Sequence, residues 1–154
     1  MLFTAVLCHI SNAAIVRNTS NITYTPKTHY FNWTTGQGHY NLDGTFDAEV
    51  ITCDANDGNG PTFPWPSIKV NKGDRIILTL NNGFENKNTS IHFHGLFQNG
   101  TNQMDGPEMI TQCPIAPNSS FTYNFTVDGQ SGSYWYHSHT KGQYMDGMKG
   151  TVVI

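Results

Sequence analysis

Apolar and polar positions alternate along much of this chain, and no helical period is sustained over ten residues. Residues 28–34 (THYFNWT) read as a first strand and 46–53 as a second. A long Gly/Pro/Asn/Asp loop spans 54–66. Residues 67–80 read as two strand halves around the turn tetrapeptide Asn71-Lys72-Gly73-Asp74. Residues 76–80 (IILTL) are the most apolar run, expected to form a central strand. Further strands are expected over 90–98, 121–127, 133–138 and 148–154. Short strands at this spacing predict an all-β domain with a Greek-key β-sandwich architecture. Composition agrees. Val, Ile and Thr number 36 against 6 Leu, and β-branched residues favour strands.

The length of 154 residues suits one domain. Residues 1–10 are apolar and 11–14 are small, so 1–14 reads as a signal peptide cleaved after Ala13 or Ala14, although a basic start is missing. Residues 15–27 read as an exposed lead-in and 28–154 as the folded domain. Seven Asn-X-Ser/Thr sequons occur, at Asn18, Asn21, Asn32, Asn88, Asn99, Asn118 and Asn124, where roughly three are expected by chance. The excess, with the leader, predicts a secreted or cell-surface glycoprotein. Charged residues make up only 12%, the formal charge is -3 and no basic run exists, which argues against nucleic-acid binding. No apolar stretch reaches the roughly 18 residues of a membrane helix. Cys8 falls in the leader. Cys53 and Cys113 have the choice of each other or of partners outside the chain. The last residues, Thr151 to Ile154, form a strand pattern without a following turn, as expected at a domain edge.

Two His-x-His pairs carry the chemistry: His92-Phe93-His94 and His137-Ser138-His139. Seven histidines in a chain of this length give roughly 0.3 such pairs by chance. In a strand, residues i and i+2 face one side about 6.5 Å apart. Two such pairs on adjacent strands point four imidazoles at one cavity, a donor set for copper, zinc, iron or nickel. That spacing suits a cluster of ions better than one ion. Gly95 permits an unusual turn after the first pair, and Tyr134, Trp135 and Tyr136 are placed to pack beneath the second. Asp105, in Met104-Asp105-Gly106, is a candidate to orient a ligand or a metal-bound water. His29 and His39 are lone, Met145 and Met148 read as packing, and Asp43, Asp47 and Glu49 as a solvated acidic face. Trp33, Trp65 and Trp135 read as core or loop-packing aromatics. There is no Gly-x-Ser-x-Gly elbow, phosphate loop, dinucleotide fingerprint or His-Glu-x-x-His, and no cysteine has the nearby histidine that a blue-copper site needs.

These segments resemble the N-terminal cupredoxin (plastocyanin-like) domain of multicopper oxidases. The likeness runs through His92-Phe93-His94-Gly95, Gln98 to Thr101, Met104-Asp105-Gly106, Thr111 to Ile115, Tyr134 to Thr140 (YWYHSHT) and Gln143 to Gly150, and covers residues 28–154. Phe31 to Thr34, HFHGLFQNGT and DGMKG are most similar to fungal iron-transport ferroxidases, with laccases next. The resemblance implies a cupredoxin-like fold. It implies that His92 is a type 2 copper ligand, that His94, His137 and His139 serve the type 3 pair, and that Asp105 assists proton delivery. It implies that Cys113 matches a laccase cysteine bonded to a later domain. Residues 106–109 (GPEM) depart from the apolar stretch of many relatives.

In that family three cupredoxin domains share the work, and the third supplies the remaining ligands and the blue copper. The implied function is therefore half of a trinuclear copper cluster in a secreted enzyme. That enzyme reduces O2 to water while oxidising Fe(II) or a phenolic substrate, and an iron permease is the partner if it is a ferroxidase. The chain without the missing second and third domains is expected to be inactive. The competing reading is a stand-alone secreted copper-binding module without turnover.

Overall fold

The computed structural model describes residues 23–154. The expected leader and the sequons at Asn18 and Asn21 lie outside the described residues. Nine strands form two sheets: β1 (Thr28–Asn41), β2 (Asp47–Asp54), β3 (Pro61–Thr62), β4 (Ile68–Lys69), β5 (Arg75–Asn81), β6 (Ile91–His94), β7 (Ser120–Thr126), β8 (Ser133–Ser138) and β9 (Lys149–Val153). One sheet has the order β3-β2-β1-β5-β7 and the other β4-β9-β8-β6. The only helical segment among the described residues is one 3-10 turn, Asn102–Met104. The all-β sandwich expected from the pattern is what forms.

Three elements differ in extent from the expectation, each for a tertiary reason. β1 runs on to Asn41 because its two halves serve different partners. Thr28–Thr34 pairs in parallel with β5, and Thr34–Asn41 pairs antiparallel with β2. Gly36 and Gly38 carry no strand signal, and pairing with β2 supplies it. β6 stops at His94 rather than near Gln98, because Gly95 adopts φ +84° and turns the chain. β5 is an interior strand paired on both sides, with Ile76, Leu78 and Leu80 fully buried, but it stands fourth of five rather than central.

The core lies between the sheets. Trp33, Trp65 and Tyr136 meet at ring-centroid distances of 5.3 to 6.3 Å, and Phe93 packs on Phe125 at 4.8 Å and Tyr123 at 5.5 Å. Their polar atoms are satisfied. Trp65 Nε1 donates to the Ile51 carbonyl at 2.8 Å, and the Tyr136 hydroxyl to that of Pro66 at 2.6 Å. The Ile91 amide donates to the Tyr123 hydroxyl oxygen at 2.8 Å, fastening β6 to the opposite sheet. Cys53 is buried and Cys113 exposed, and among the described residues no disulfide joins them. Burial, with Asp54 and Asp57 nearby, pushes the Cys53 thiol up to about 12, so it behaves as an inert core group.

Asp74, at the end of the expected turn, is buried. It accepts bonds from the Tyr24 hydroxyl, the Lys27 and Asn71 amides and the His29 ring, at 2.5 to 2.8 Å. His29, lone in the sequence, is therefore a structural partner, and the carboxylate ties the segment before β1 to the turn before β5. Burial alone would raise the Asp74 pKa, but these donors override it and hold the carboxyl well below the usual range. A depressed carboxylate stabilises the fold fully above its unfolded pKa, about 3.9, and loses that contribution as pH falls below it. Asp74→Asn should destabilise the fold by roughly 1–3 kcal/mol at neutral pH. It should also flatten the fall in stability below about pH 4. Urea unfolding at a series of pH values checks both; a variant that matches the parent's acid limb would refute it.

Candidate metal centre

β6 and β8 pair antiparallel in the register His92↔His137, Phe93↔Tyr136 and His94↔Trp135. Directly opposed residues share a face and successive residues alternate. Ile91, Phe93 and Tyr136 therefore point into the core, each fully buried. His92, His94, His137 and Trp135 project together from the opposite face of the sheet. One coordinating nitrogen from each of His92, His94 and His137 lies within 4.8 Å of the others. His94 Nδ1 and His137 Nε2 are 3.2 Å apart.

His139 lies one residue past β8, whose bounds match the strand expected over 133–138. Its ring still reaches the cluster, with centroids 5.6 Å from His92 and 6.1 Å from His137. The structure thus gathers all four histidines, three of them tightly.

Two of the rings are oriented by backbone. His92 Nδ1 bonds the Asp105 carbonyl at 2.7 Å, and His137 Nδ1 bonds the Ser138 carbonyl at 2.8 Å. Carbonyls only accept, so these nitrogens carry the protons and Nε2 of each ring keeps its lone pair for a metal. Trp135 stacks on His137 at 4.1 Å and 27°. Trp135 therefore packs against the site rather than in the core, which holds Trp33 and Trp65. Burial pushes the His137 pKa down, and the neighbouring imidazoles add to that, although the Ser138 bond opposes it. A neutral ring is the ligand form.

Asp105 is placed beside His92, with Oδ1 3.4 Å from Nδ1. Its backbone contributes as much as its carboxylate, since its carbonyl accepts from both the His92 ring and the Phe93 amide. Gly106 makes this docking possible: its φ is +104°, and a Cβ there would fall 1.8 Å from the Ile91 carbonyl oxygen.

Two supporting residues carry no signal in sequence. Gln143 is buried; its Oε1 accepts from the Thr89 and Ser138 hydroxyls and its Nε2 donates to the Asn88 carbonyl. Glu108, in the GPEM departure, accepts from the Thr140 hydroxyl at 3.0 Å and so joins the Asp105 loop to the residue after His139. Met148 is fully buried and its sulfur accepts from the Thr89 hydroxyl, so it packs as expected, whereas Met145 is exposed and does not pack, and Asp43, Asp47 and Glu49 are exposed.

The fold is a two-sheet β-sandwich with four histidines gathered at one end of β6 and β8, an arrangement typical of a metal-binding β-domain. The sequence profile of the multicopper oxidase family matches residues 34–154. The iron transport multicopper oxidase FET3 of Kluyveromyces lactis is 66% identical over 127 residues, covering 82% of this chain and 19% of that protein. The Saccharomyces cerevisiae FET3 is 62% identical over 128 residues, with 83% and 19% covered. The crystal structure of Fet3p, described as a multicopper oxidase that functions in iron import, superposes with a TM-score of 0.77 at 61% identity, covering 82% of this chain and 23% of that one. A laccase from Botrytis aclada gives 0.76 at 38% identity, covering 87% and 23%. This chain belongs to the multicopper oxidase family and spans about a fifth of the length of the curated relatives it matches. Copper is the metal that membership implies, and imidazole donors converging on one face fit it.

Gly106→Ala should cost roughly 2–4 kcal/mol, because backbone must move to admit the methyl group and φ is left-handed. It should also release the His92 ring from the Asp105 carbonyl. A thermal melt reads the first effect and the His92 imidazole NMR signals the second; an unchanged melt would overturn the account.

Proposed function

We propose that His92, His94, His137 and His139 supply this chain's share of a trinuclear copper cluster. His92 serves the type 2 ion and the other three serve the type 3 pair. The observation that carries this reading is the convergence of His92, His94 and His137 within 4.8 Å on one sheet face, with two rings held in the metal-ready tautomer. Bound copper supplies one-electron acceptance and dioxygen reduction. The protein's own residues do the rest. The Asp105 and Ser138 carbonyls hold the proton on Nδ1 of His92 and His137. Trp135 covers one face of His137. The Asp105 carboxylate, part-exposed beside His92, is positioned to hold and pass a proton between solvent and the cluster.

The enzyme of which this domain is a part oxidises Fe(II), coupled to reduction of O2 to water. Support comes from relatives named as iron transport multicopper oxidases. A phenolic substrate is the alternative, supported by the laccase likenesses. The setting is the secretory pathway and the cell surface, with an iron permease as partner. Sequons on the described surface support the route, among them Asn88 and Asn99, both exposed.

The test uses the full-length protein loaded with copper. It should consume O2 with Fe(II). His94→Ala and His137→Ala should each lower bound copper and cut O2 consumption roughly 100-fold while the fold persists. The 154-residue chain by itself should bind copper without consuming O2. Copper binding without O2 consumption by the full-length protein would favour the module reading. Unchanged copper content in both variants would refute the ligand assignment.

A further inference from the structure

The three most exposed aromatic side chains described are Phe46 (77%), Tyr30 (75%) and Phe97 (68%). Two of these stand two residues before a sequon asparagine, Tyr30 before Asn32 and Phe97 before Asn99. At Phe97 the exposure is built in. Leu96 and Gln98 on either side are buried. Gln130 grips the backbone around it, with Oε1 accepting from the Phe97 amide at 2.6 Å and Nε2 donating to the Gly95 carbonyl at 2.8 Å. The ring is therefore presented outward by a held backbone. Asn99 follows at the tip of a turn, which the Thr101 amide closes onto the Gln98 carbonyl at 3.0 Å and Gly100 permits with φ +76°. Among the described residues no group bonds the Asn99 side chain, whereas Asn32 lies inside β1 and accepts from Asn81. Phe97, Asn99 and Thr101 line one wall of a surface cavity of about 360 Å³, completed by Thr126, Asp128 and Gly129.

We propose that Asn99 carries an N-linked glycan whose first N-acetylglucosamine lies on the Phe97 ring and enters this cavity. Attachment breaks the C1–O bond of a polyprenyl-diphosphate oligosaccharide and forms a C1–Nδ2 bond. The lipid diphosphate leaves and one amide proton is lost. The apolar C–H face of the sugar then meets the negative face of the ring, which removes an exposed aromatic from water. Asp128 and Thr101 offer hydrogen-bond partners to the sugar's polar edge. The sugar braces the segment between His94 and Asp105, so the modification steadies the loop that orients the copper ligand His92. The inference rests on the secretory route proposed above.

The full-length protein from a glycosylating eukaryotic host tests it. Glycopeptide mass spectrometry should find Asn99 occupied. Hydrogen exchange over residues 95–102 should be about five-fold slower than in Asn99→Gln, the size of one aromatic contact of roughly 1 kcal/mol. Trimming to a single N-acetylglucosamine should keep that protection. Phe97→Ser should abolish the difference that Asn99→Gln makes, and Phe97→Tyr should preserve it. An empty Asn99 beside occupied sequons elsewhere would overturn this inference alone. So would an equal effect of Asn99→Gln with and without Phe97, which would mean that the glycan acts without the ring. No glycan on any sequon would remove the secretory route as well.

Discussion

The cross-strand pair Phe93–Tyr136 is the contact on which the histidine cluster depends. Both rings are fully buried, and their neighbours along β6 and β8 are forced to the opposite face by the pleat. A slip of one residue would bury histidines and expose aromatics, so the hydrophobic core itself enforces the ligand register. The bond from the Ile91 amide to the Tyr123 hydroxyl adds a second fastening from the other sheet. The imidazoles need no dedicated scaffold, because they occupy the reverse side of the core.

Strand pairing brings the rings together, and a loop decides which nitrogen the His92 ring offers. The Asp105 loop closes onto β6 through one carbonyl that accepts from both a backbone amide and the His92 ring. Only glycine at 106 allows that approach. On the far side Gln143 knits Thr89, Ser138 and Asn88 beneath the second histidine pair, and Glu108 joins the two loops through Thr140. Each of these polar groups is wholly or partly removed from water and each is matched, which favours a rigid arrangement. The same economy holds at the other end of the sandwich, where one buried carboxylate, Asp74, gathers four donors.

Much of this was legible before any coordinates. The alternation predicted a β-sandwich, and paired His-x-His motifs marked the site, because both are local properties of a pleated strand. Asp105 was a candidate from its loop position and gained a role only from the family resemblance, whereas the need for glycine at 106 was not legible. Gln143, Glu108 and the Asp74–His29 pair were not legible, since each acts on residues distant in sequence, separated in the last case by 45 positions. The extent of β1 was hidden for a related reason: its glycines are strand only because β2 lies beside them.

Residue order by itself thus determined the class of fold, the faces of each strand and the chemistry of the ligand set, since side-chain period and donor type are properties of neighbours along the chain. Tertiary structure alone decided which strands lie side by side, which nitrogen of His92 is left free and that the His139 ring reaches His92 from beyond its strand. Those outcomes depend on distances between segments far apart in sequence, which only the closed sandwich sets.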